Sequence, residues 1–361
     1  MDWRRAMTAL ALAGGLWTAL AGAGAGGAAA DPSPTFPTAG REDGVVVAEI
    51  ERRGVLRCGV SYNPGFAAND KAGRPVGFMV DLCRALAAAV LGKADAVEIR
   101  RLSKPQEFAA IAAGDVDVSF AQTSWTLTRD AGYPVDFGPP VFHDEQGIAA
   151  WRRPDGRSPL DGGEATICTP SATTSHAALE AYLARGDKPL WTLRLFPTWP
   201  DALQAFIGRE CDALSIDRAI LTTALRGLEG SRDGLLITAA PVPSREPVAP
   251  VASNRDRQWL TAIRWTMFAL FLAEDAGVTG ENAGFLRITG NSEVQRLLDG
   301  LPDAARKVGL RPDWAYQAIV QVGNYGEIFE RNLGSRSPFG LDRGANRPWT
   351  QGGLLFAPVF Q

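Results

Sequence analysis

An arginine placed among hydroxyl side chains is the strongest chemical signal in the sequence. Arg129 follows Thr126 by three residues, within the segment Gln122–Asp130 (QTSWTLTRD). Residues 113–120 have the pattern of a turn and a buried strand, so this segment lies at a strand's carboxyl end, where open α/β sheets bind ligands. Thr126 can cap a following helix, whose free N–H groups would lie beside the Arg129 guanidinium. Such a fork binds a carboxylate or a phosphate. The alternative is that Thr126 is only a cap and Arg129 is solvated or in an ordinary salt bridge.

A carboxylate in a comparable position complements this arginine. Asp217 ends a second predicted strand, where a buried carboxylate without a cationic partner would be costly. An ammonium group would satisfy it, although Arg209 or Arg218 could form an ordinary surface pair with it instead. The segment Ser171–Ser175 (SATTS) again places hydroxyls and N–H groups at a helix start. Together these residues predict a site for a free amino acid in its zwitterionic form.

Alternating strands and helices position both clusters. In the first unit the patterns predict helices at 45–53, 81–91 and 104–113 and strands at 55–61, 97–102 and 115–121. A second unit repeats the scheme, with strands at 164–169, 191–196 and 210–216 and helices at 174–185 and 199–208. The alternation predicts a mostly parallel sheet in each unit.

Two extended stretches, Gln146–Arg152 and Val248–Ser253, are the predicted crossings between these units. A helix at 258–273 then returns the chain to the first. We therefore predict two α/β lobes joined by a two-strand hinge. Lobe 1 would contain residues 45–147 and 249–361, including a C-terminal extension from about 306, and lobe 2 residues 148–248. Two crossings permit closure around a ligand in the cleft.

The N-terminus has the features of an export signal. Arg4 and Arg5 precede an apolar run to about Leu20, and small residues end at Ala30. This is typical of a signal peptide at residues 1–30, cleaved near Ala30. A membrane anchor is the alternative, but the apolar stretch is short and rich in alanine and glycine. Residues 31–44 form a proline-rich leader, predicted to be extended or disordered.

Export makes the four cysteines candidates for disulfide bonds. Cys58 lies in a predicted strand and Cys83 in the next helix, whereas Cys168 and Cys211 lie in two strands of the second unit. We expect the pairs Cys58–Cys83 and Cys168–Cys211, each contributing about 3–4 kcal/mol. Four reduced, buried thiols are the alternative.

Composition excludes several other functions. The chain has 361 residues, 46% of them hydrophobic, and a net charge of -3, so a nucleic-acid partner is not expected. Neither His143 nor His176 has a cysteine at metal-ligand spacing, and no metal site is predicted. The glycines of residues 22–27 match a dinucleotide-binding spacing by chance, since no strand precedes them, and no cofactor is predicted.

The sequence resembles the general L-amino-acid-binding periplasmic proteins of ABC transporters, within extracellular solute-binding protein family 3. The resemblance extends from about Val45 to the C-terminus. It is based on the segments 58–61 (CGVS), 81–85 (DLCRA), 123–130 (TSWTLTRD), 264–266 (RWT), 313–316 (DWAY) and 321–332 (QVGNYGEIFERN). The last of these belongs to a C-terminal extension that typical members of the wider family lack.

The resemblance implies a type II periplasmic-binding-protein fold with an amino acid enclosed between the lobes. Arg129 and the Ser124 hydroxyl would hold the α-carboxylate, to which Thr173 and Thr174 would also donate. Asp217 would bind the ammonium from the other lobe. Gln122 would meet the ammonium through a backbone carbonyl or its side chain, and Phe66 would line the apolar wall.

Four positions depart from the family pattern. Relatives usually have Asn-Thr-Thr where this chain has residues 122–124, Gly where it has Ala172, and Arg where it has Ala121. Because Arg129 and Asp217 are intact, the departures affect recognition of the ligand's side chain rather than of its carboxylate and ammonium.

We therefore predict an exported, monomeric binding protein, not an enzyme. It would capture free L-amino acids and deliver them to an inner-membrane ABC permease with its ATPase subunit. Two alternatives share the fold. One is a dehydratase-like enzyme acting on small carboxylic acids, for which His176 is the candidate acid or base. The other is a sensory protein that passes its ligand signal to a receptor.

Overall fold

A computed structural model describes residues 43–161, 163–185, 190–226, 234–240, 242 and 244–361. The predicted signal peptide, its cleavage site near Ala30 and all but the last two residues of the predicted leader lie outside these ranges. Within them, no helix is long and apolar enough to cross a membrane.

The elements alternate as predicted. The strands are β1 (Leu56–Val60), β2 (Ala68–Asn69), β3 (Pro75–Val76), β4 (Val97–Arg101), β5 (Val118–Ser124), β6 (Val135–Phe137), β7 (Phe142–Asp144), β8 (Gln146–Trp151), β9 (Ala165–Pro170), β10 (Trp191–Phe196), β11 (Ala213–Asp217), β12 (Leu235–Ala239) and β13 (Glu246–Ser253). The helices are α1 (Val45–Arg53), α2 (Phe78–Leu91), α3 (Lys104–Ala113), α4 (Leu127–Gly132), α5 (Thr174–Leu183), α6 (Trp199–Ile207), α7 (Arg218–Arg226), α8 (Arg257–Asp275), α9 (Ala283–Thr289), α10 (Ser292–Asp299), α11 (Pro302–Lys307), α12 (Trp314–Val322) and α13 (Tyr325–Asn332).

The strands form two main sheets with the same internal arrangement. The first has the order β4-β1-β5-β13-β6, with β7 also paired to β13. The second has the order β10-β9-β11-β8-β12. In each, three parallel strands are followed by an antiparallel neighbour, β13 in the first sheet and β8 in the second. The predicted two-lobed α/β fold is confirmed.

The chain passes between the sheets twice, from β7 to β8 and from β12 to β13. Only Glu145 separates β7 from β8. Two short connections of this kind are suited to hinge motion. The lobe limits of 147/148 and 248/249 stay a prediction.

Each lobe contains one of the predicted disulfide bonds. Cys58 of β1 is bonded to Cys83 of the buried helix α2, with 6.1 Å between their Cα atoms. Cys168 of β9 is bonded to Cys211, just before β11, with 5.8 Å between their Cα atoms. Both bonds therefore join the central parallel strand of a sheet to a neighbouring element.

The C-terminal region packs on the first sheet and its helices. Asp81 of α2 accepts hydrogen bonds from Arg331 Nε (2.8 Å) and Asn332 Nδ2 (2.7 Å), which fix the end of α13. Farther along the chain, the buried Asn346 accepts from the His143 N–H at 2.6 Å and donates to the His143 carbonyl at 3.0 Å. These two bonds attach the extension to β7, the strand that leads into the first crossing.

Candidate functional site

The lobe 1 side of the site is built at an irregular end of β5. Every residue of Val118–Ser124 is buried, but the pairing of β5 with β13 shifts between Ala249 and Val251. Within this irregular stretch, Gln122 has a φ of 58°, in the left-handed region that a non-glycine residue seldom adopts. Such irregularities are common beside functional sites because they redirect main-chain groups out of the strand ladder.

Arg129 lies directly after this strand, as predicted. Thr126 caps α4 and accepts a hydrogen bond from the Arg129 N–H at 3.3 Å. The guanidinium turns back and donates from Nη1 to the Ser124 carbonyl at 2.8 Å. Among the described residues no salt bridge joins Arg129 to a carboxylate, so the alternative of an ordinary salt bridge is wrong for this part of the chain. The bond to Ser124 holds the guanidinium at the carboxyl end of β5.

Asp217 is the last residue of β11, on the opposite side of the cleft. Neither proposed surface partner is paired with it. Arg218 is in a salt bridge with Glu145, and the Arg209 guanidinium lies 3.8 Å from the centroid of the Trp151 ring. Because Arg209 and Arg218 have other partners, the Asp217 carboxylate remains available to another cation.

The electrostatics of Asp217 connect the two lobes. Loss of hydration and repulsion from Glu246 raise the pKa of Asp217 to about 7, while attraction to Lys104 and Arg129 acts in the opposite direction. Lys104 and Arg129 belong to the first lobe and Asp217 to the second. The predicted carboxylate-binding residue Arg129 and ammonium-binding residue Asp217 are therefore within electrostatic range of each other.

The start of α5 contributes from the second lobe. Thr173 caps the helix, accepting from the His176 N–H at 3.2 Å and donating to the Pro170 carbonyl at 2.8 Å. Thr174 Oγ1 donates to Glu246 Oε2 at 2.9 Å. Both hydroxyl hydrogens are used within the protein, so the N–H groups of the first turn are the donors best suited to an anion. Ala172, just before them, has a φ of 56° where the family pattern has glycine.

Three charged residues of the cleft were missed from the sequence. Lys104 Nζ donates to the Ala121 carbonyl and to Thr123 Oγ1, each at 2.6 Å. Loss of hydration lowers the pKa of Lys104, against the attraction of Glu107. A positively charged lysine in the first turn of a helix interacts unfavourably with the helix dipole. This unfavourable position was the sequence feature that could have marked Lys104 as a candidate site residue.

The other two are acidic. Glu246 is only 3% exposed at the start of β13. Asp144 ends β7 and accepts from the N–H groups of Glu145 and Ala219. Burial and repulsion from Asp217 raise the pKa of Asp144 well above its usual range. A lone acid in the apolar stretch that forms β13 was a weak signal for Glu246.

Two further residues considered from the sequence are Phe66 and His176. Phe66 is 1% exposed and packs edge-on against Phe78 and Phe142, with ring centroids 6.3 Å and 5.2 Å apart. Its role in the apolar wall stays a prediction. His176 Nε2 lies 3.1 Å from Glu180 Oε1 on its own helix. This orientation gives no support to His176 as an acid or base.

Comparison with known proteins identifies the family. Residues 56–334 match the bacterial extracellular solute-binding proteins, family 3. The chain belongs to this family.

Similar proteins cover most of the chain. The general L-amino acid-binding periplasmic protein AapJ of Rhizobium johnstonii is 32% identical over 86% of this chain and 92% of its own length. The glutamate/glutamine/aspartate/asparagine-binding protein BztA of Rhodobacter capsulatus is 35% identical over 90% of this chain and 95% of its own length. A solved structure, an ABC transporter periplasmic binding protein from Brucella ovis with glutathione bound, is 32% identical with a TM-score of 0.82. The match covers 89% of this chain and all of that one. These family 3 proteins are named for binding, not for catalysis.

Proposed function

We propose that this family 3 protein captures free L-amino acids in the cleft between its lobes and delivers them to an ABC transporter. The observation that carries the proposal is the opposition of Arg129 and Asp217. They lie on different lobes, within electrostatic range of each other, and neither is in a salt bridge among the described residues. A zwitterion supplies the two missing partners at once.

The bound amino acid would use groups from both lobes. Its carboxylate would accept from Arg129, from the Ser124 hydroxyl and from the N–H groups of Thr173 and Thr174. Its ammonium would donate to Asp217 and to the main-chain carbonyl of Gln122, which the left-handed φ turns out of the regular ladder. Phe66 would limit the pocket on its apolar side.

The relatives support this assignment of ligand and location. AapJ and BztA are named as amino-acid-binding proteins, the former as periplasmic. We infer that this protein is exported by its signal peptide, cleaved near Ala30, and acts in the periplasm as a monomer. Its partners would be an inner-membrane permease and the associated ATPase subunit, and it would perform no chemistry.

A thermal-shift screen tests the proposal. Each of the twenty L-amino acids and a few small carboxylic acids would be added to the exported protein at about 1 mM. A ligand present at 100 times its dissociation constant stabilises a protein by about 2.7 kcal/mol, so at least one amino acid should raise the melting temperature by several degrees. Carboxylic acids without an ammonium group should have little effect. A response to carboxylic acids alone would contradict the proposal and favour the dehydratase-like alternative.

A further inference from the structure

Two carboxamide side chains meet beside the proposed ammonium site. Asn63 lies in the loop after β1 and Gln122 in the irregular part of β5, and they are 3% and 5% exposed. Asn63 Nδ2 donates a hydrogen bond to Gln122 Oε1. Neither residue type would be expected at a buried position without hydrogen-bond partners.

The hydrogen bond between Asn63 and Gln122 leaves other hydrogen-bonding groups of these two carboxamides unused. Asn63 Oδ1 is buried and has no partner among the described residues. The bond from Asn63 is also the only side-chain hydrogen bond of Gln122 within the described part of the chain. If the oxygen and nitrogen positions of both carboxamides were exchanged, the numbers of unused acceptors and donors would stay the same. The single bond would still use one carbonyl oxygen and one N–H group. The pair therefore offers the Asn63 Oδ1 acceptor and the Gln122 Nε2 donor to a third group.

The position of the pair points to the ligand as this third group. β1 and β5 are adjacent and parallel. Asn63 comes after β1 and Gln122 lies near the end of β5, so both are at the same edge of the sheet as Ser124 and Arg129. Parallel sheets bind ligands at this edge. Because Asn63 holds the Gln122 side chain, the main-chain carbonyl of Gln122 remains for the ammonium. The two carboxamides are then available to the ligand's own side chain.

The charges of the cleft disfavour an anionic side chain. Asp217 interacts with Lys104 and Arg129, which are cationic, and with Glu246, which is anionic. Of the cleft residues, Lys104 and Arg129 are basic, Asp144, Asp217 and Glu246 are acidic, and Lys104 also lies 3.4 Å from the buried Glu107. An anionic ligand side chain would add a negative charge without a free counterion, whereas a neutral polar one needs only hydrogen bonds.

We propose that Asn63 and Gln122 select L-amino acids whose side chain ends in a primary carboxamide. Asn63 Oδ1 accepts from the ligand's amide N–H, and Gln122 Nε2 donates to its carbonyl. This complementary pairing gives a partner both to Asn63 Oδ1 and to Gln122 Nε2. The inference rests on the proposed function, since it concerns the side-chain part of the same site.

Calorimetry with matched ligands tests the selectivity. L-Glutamine and L-asparagine would be compared with their carboxylate counterparts, L-glutamate and L-aspartate, and with L-alanine. Wild-type protein should bind at least one carboxamide ligand about tenfold or more tighter than its carboxylate counterpart. This comparison needs no variant, and equal or tighter binding of the carboxylates would overturn the proposal.

Variants then locate the effect. Asn63→Leu keeps size while removing the hydrogen-bonding groups, and it should weaken the carboxamide ligand about 10- to 100-fold but L-alanine less than about threefold. Gln122→Met should also weaken the carboxamide ligand about 10- to 100-fold. Asn69→Leu, at an exposed asparagine of the same loop region, is the control and should change neither. Equal losses for glutamine and alanine would refute selection by these side chains while leaving amino-acid capture intact. Failure of wild-type protein to bind any amino acid would instead remove the proposed function itself.

Discussion

Asp217 shows how a single residue can report the ligand class. A carboxylate at a strand end, away from bulk water, needs a cation, and its neighbours Arg218 and Arg209 have other partners. Loss of hydration and repulsion from Glu246 raise the pKa of Asp217, and a ligand ammonium beside the carboxylate would lower it again. Under the proposed function, Arg129 would bind the ligand's carboxylate and Asp217 its ammonium, so the two residues would hold opposite ends of one small zwitterion.

Amino-acid affinity should therefore fall in acid. Ligand-free Asp217 takes up a proton below about pH 7, and the ammonium can bind only after this proton is released. The dissociation constant should change little from pH 7.5 to 8.5 and rise by up to about tenfold per pH unit below pH 6.5. Calorimetry across pH 5.5–8.5 measures this.

The Asp217→Asn variant is the control for that titration. It should bind amino acids more weakly and show a flatter pH profile, although Asp144 and Glu246 remain nearby. Carboxylic acids without an ammonium should not lose affinity in this variant. The assignment fails if both classes of ligand lose affinity equally, or if wild-type affinity does not vary between pH 5.5 and 7.5.

At the level of elements, the ends of the strands were predictable from the sequence. Contacts between residues far apart in the chain were not. Hydrophobic periodicity located β5 and β11, and hence Arg129 and Asp217, because side-chain alternation and turn residues are local properties. The predicted strand at 115–121 ended too early, since the irregular pairing with β13 carries β5 on to Ser124. That pairing depends on a strand more than a hundred residues away in the chain.

The missed residues have the same explanation. Thr174 and Glu246 are 72 positions apart, and Asn63 and Gln122 are 59 apart. Such pairs are set by how the lobes and sheets assemble, for which a single sequence contains at most a weak local signal. The departure at Gln122 was visible, but its meaning required the partner Asn63.

The disulfide bonds give a test at this scale. Replacing both Cys168 and Cys211 by alanine should lower the free energy of unfolding by about 3–4 kcal/mol, because the closed loop of the unfolded chain is released. Urea denaturation of the variant and wild type measures the difference. Replacing Cys58 and Cys83 should give a loss of similar size in the other lobe. Unchanged midpoints in both variants, or free thiols in the exported wild-type protein, would contradict these bonds.

For the whole molecule, the proposed function requires lobe closure and ligand binding to be coupled. The two sheets are connected by short crossings, and Glu246 at the second crossing accepts from Thr174 of lobe 2. A ligand favours the closed form only through contacts that it makes there and not in the open form. Under the proposal Arg129 and Asp217 would meet this condition, since they belong to different lobes and a small ligand would contact both only in the closed form. The attachment of Asn346 to β7 places the C-terminal extension next to the first crossing.

Calorimetry of the Arg129→Ala variant tests the central claim most directly. The titrant is the amino acid that stabilises wild-type protein most, and Arg157→Ala is the control, because Arg157 is an exposed residue that pairs only locally with Asp155. Arg129→Ala should lose about 2–5 kcal/mol of binding free energy, as expected when one partner is removed from a buried charge pair. Arg157→Ala should bind like wild type. An Arg129→Ala variant that is correctly folded and retains wild-type affinity would show that the carboxylate is held elsewhere and would contradict the account.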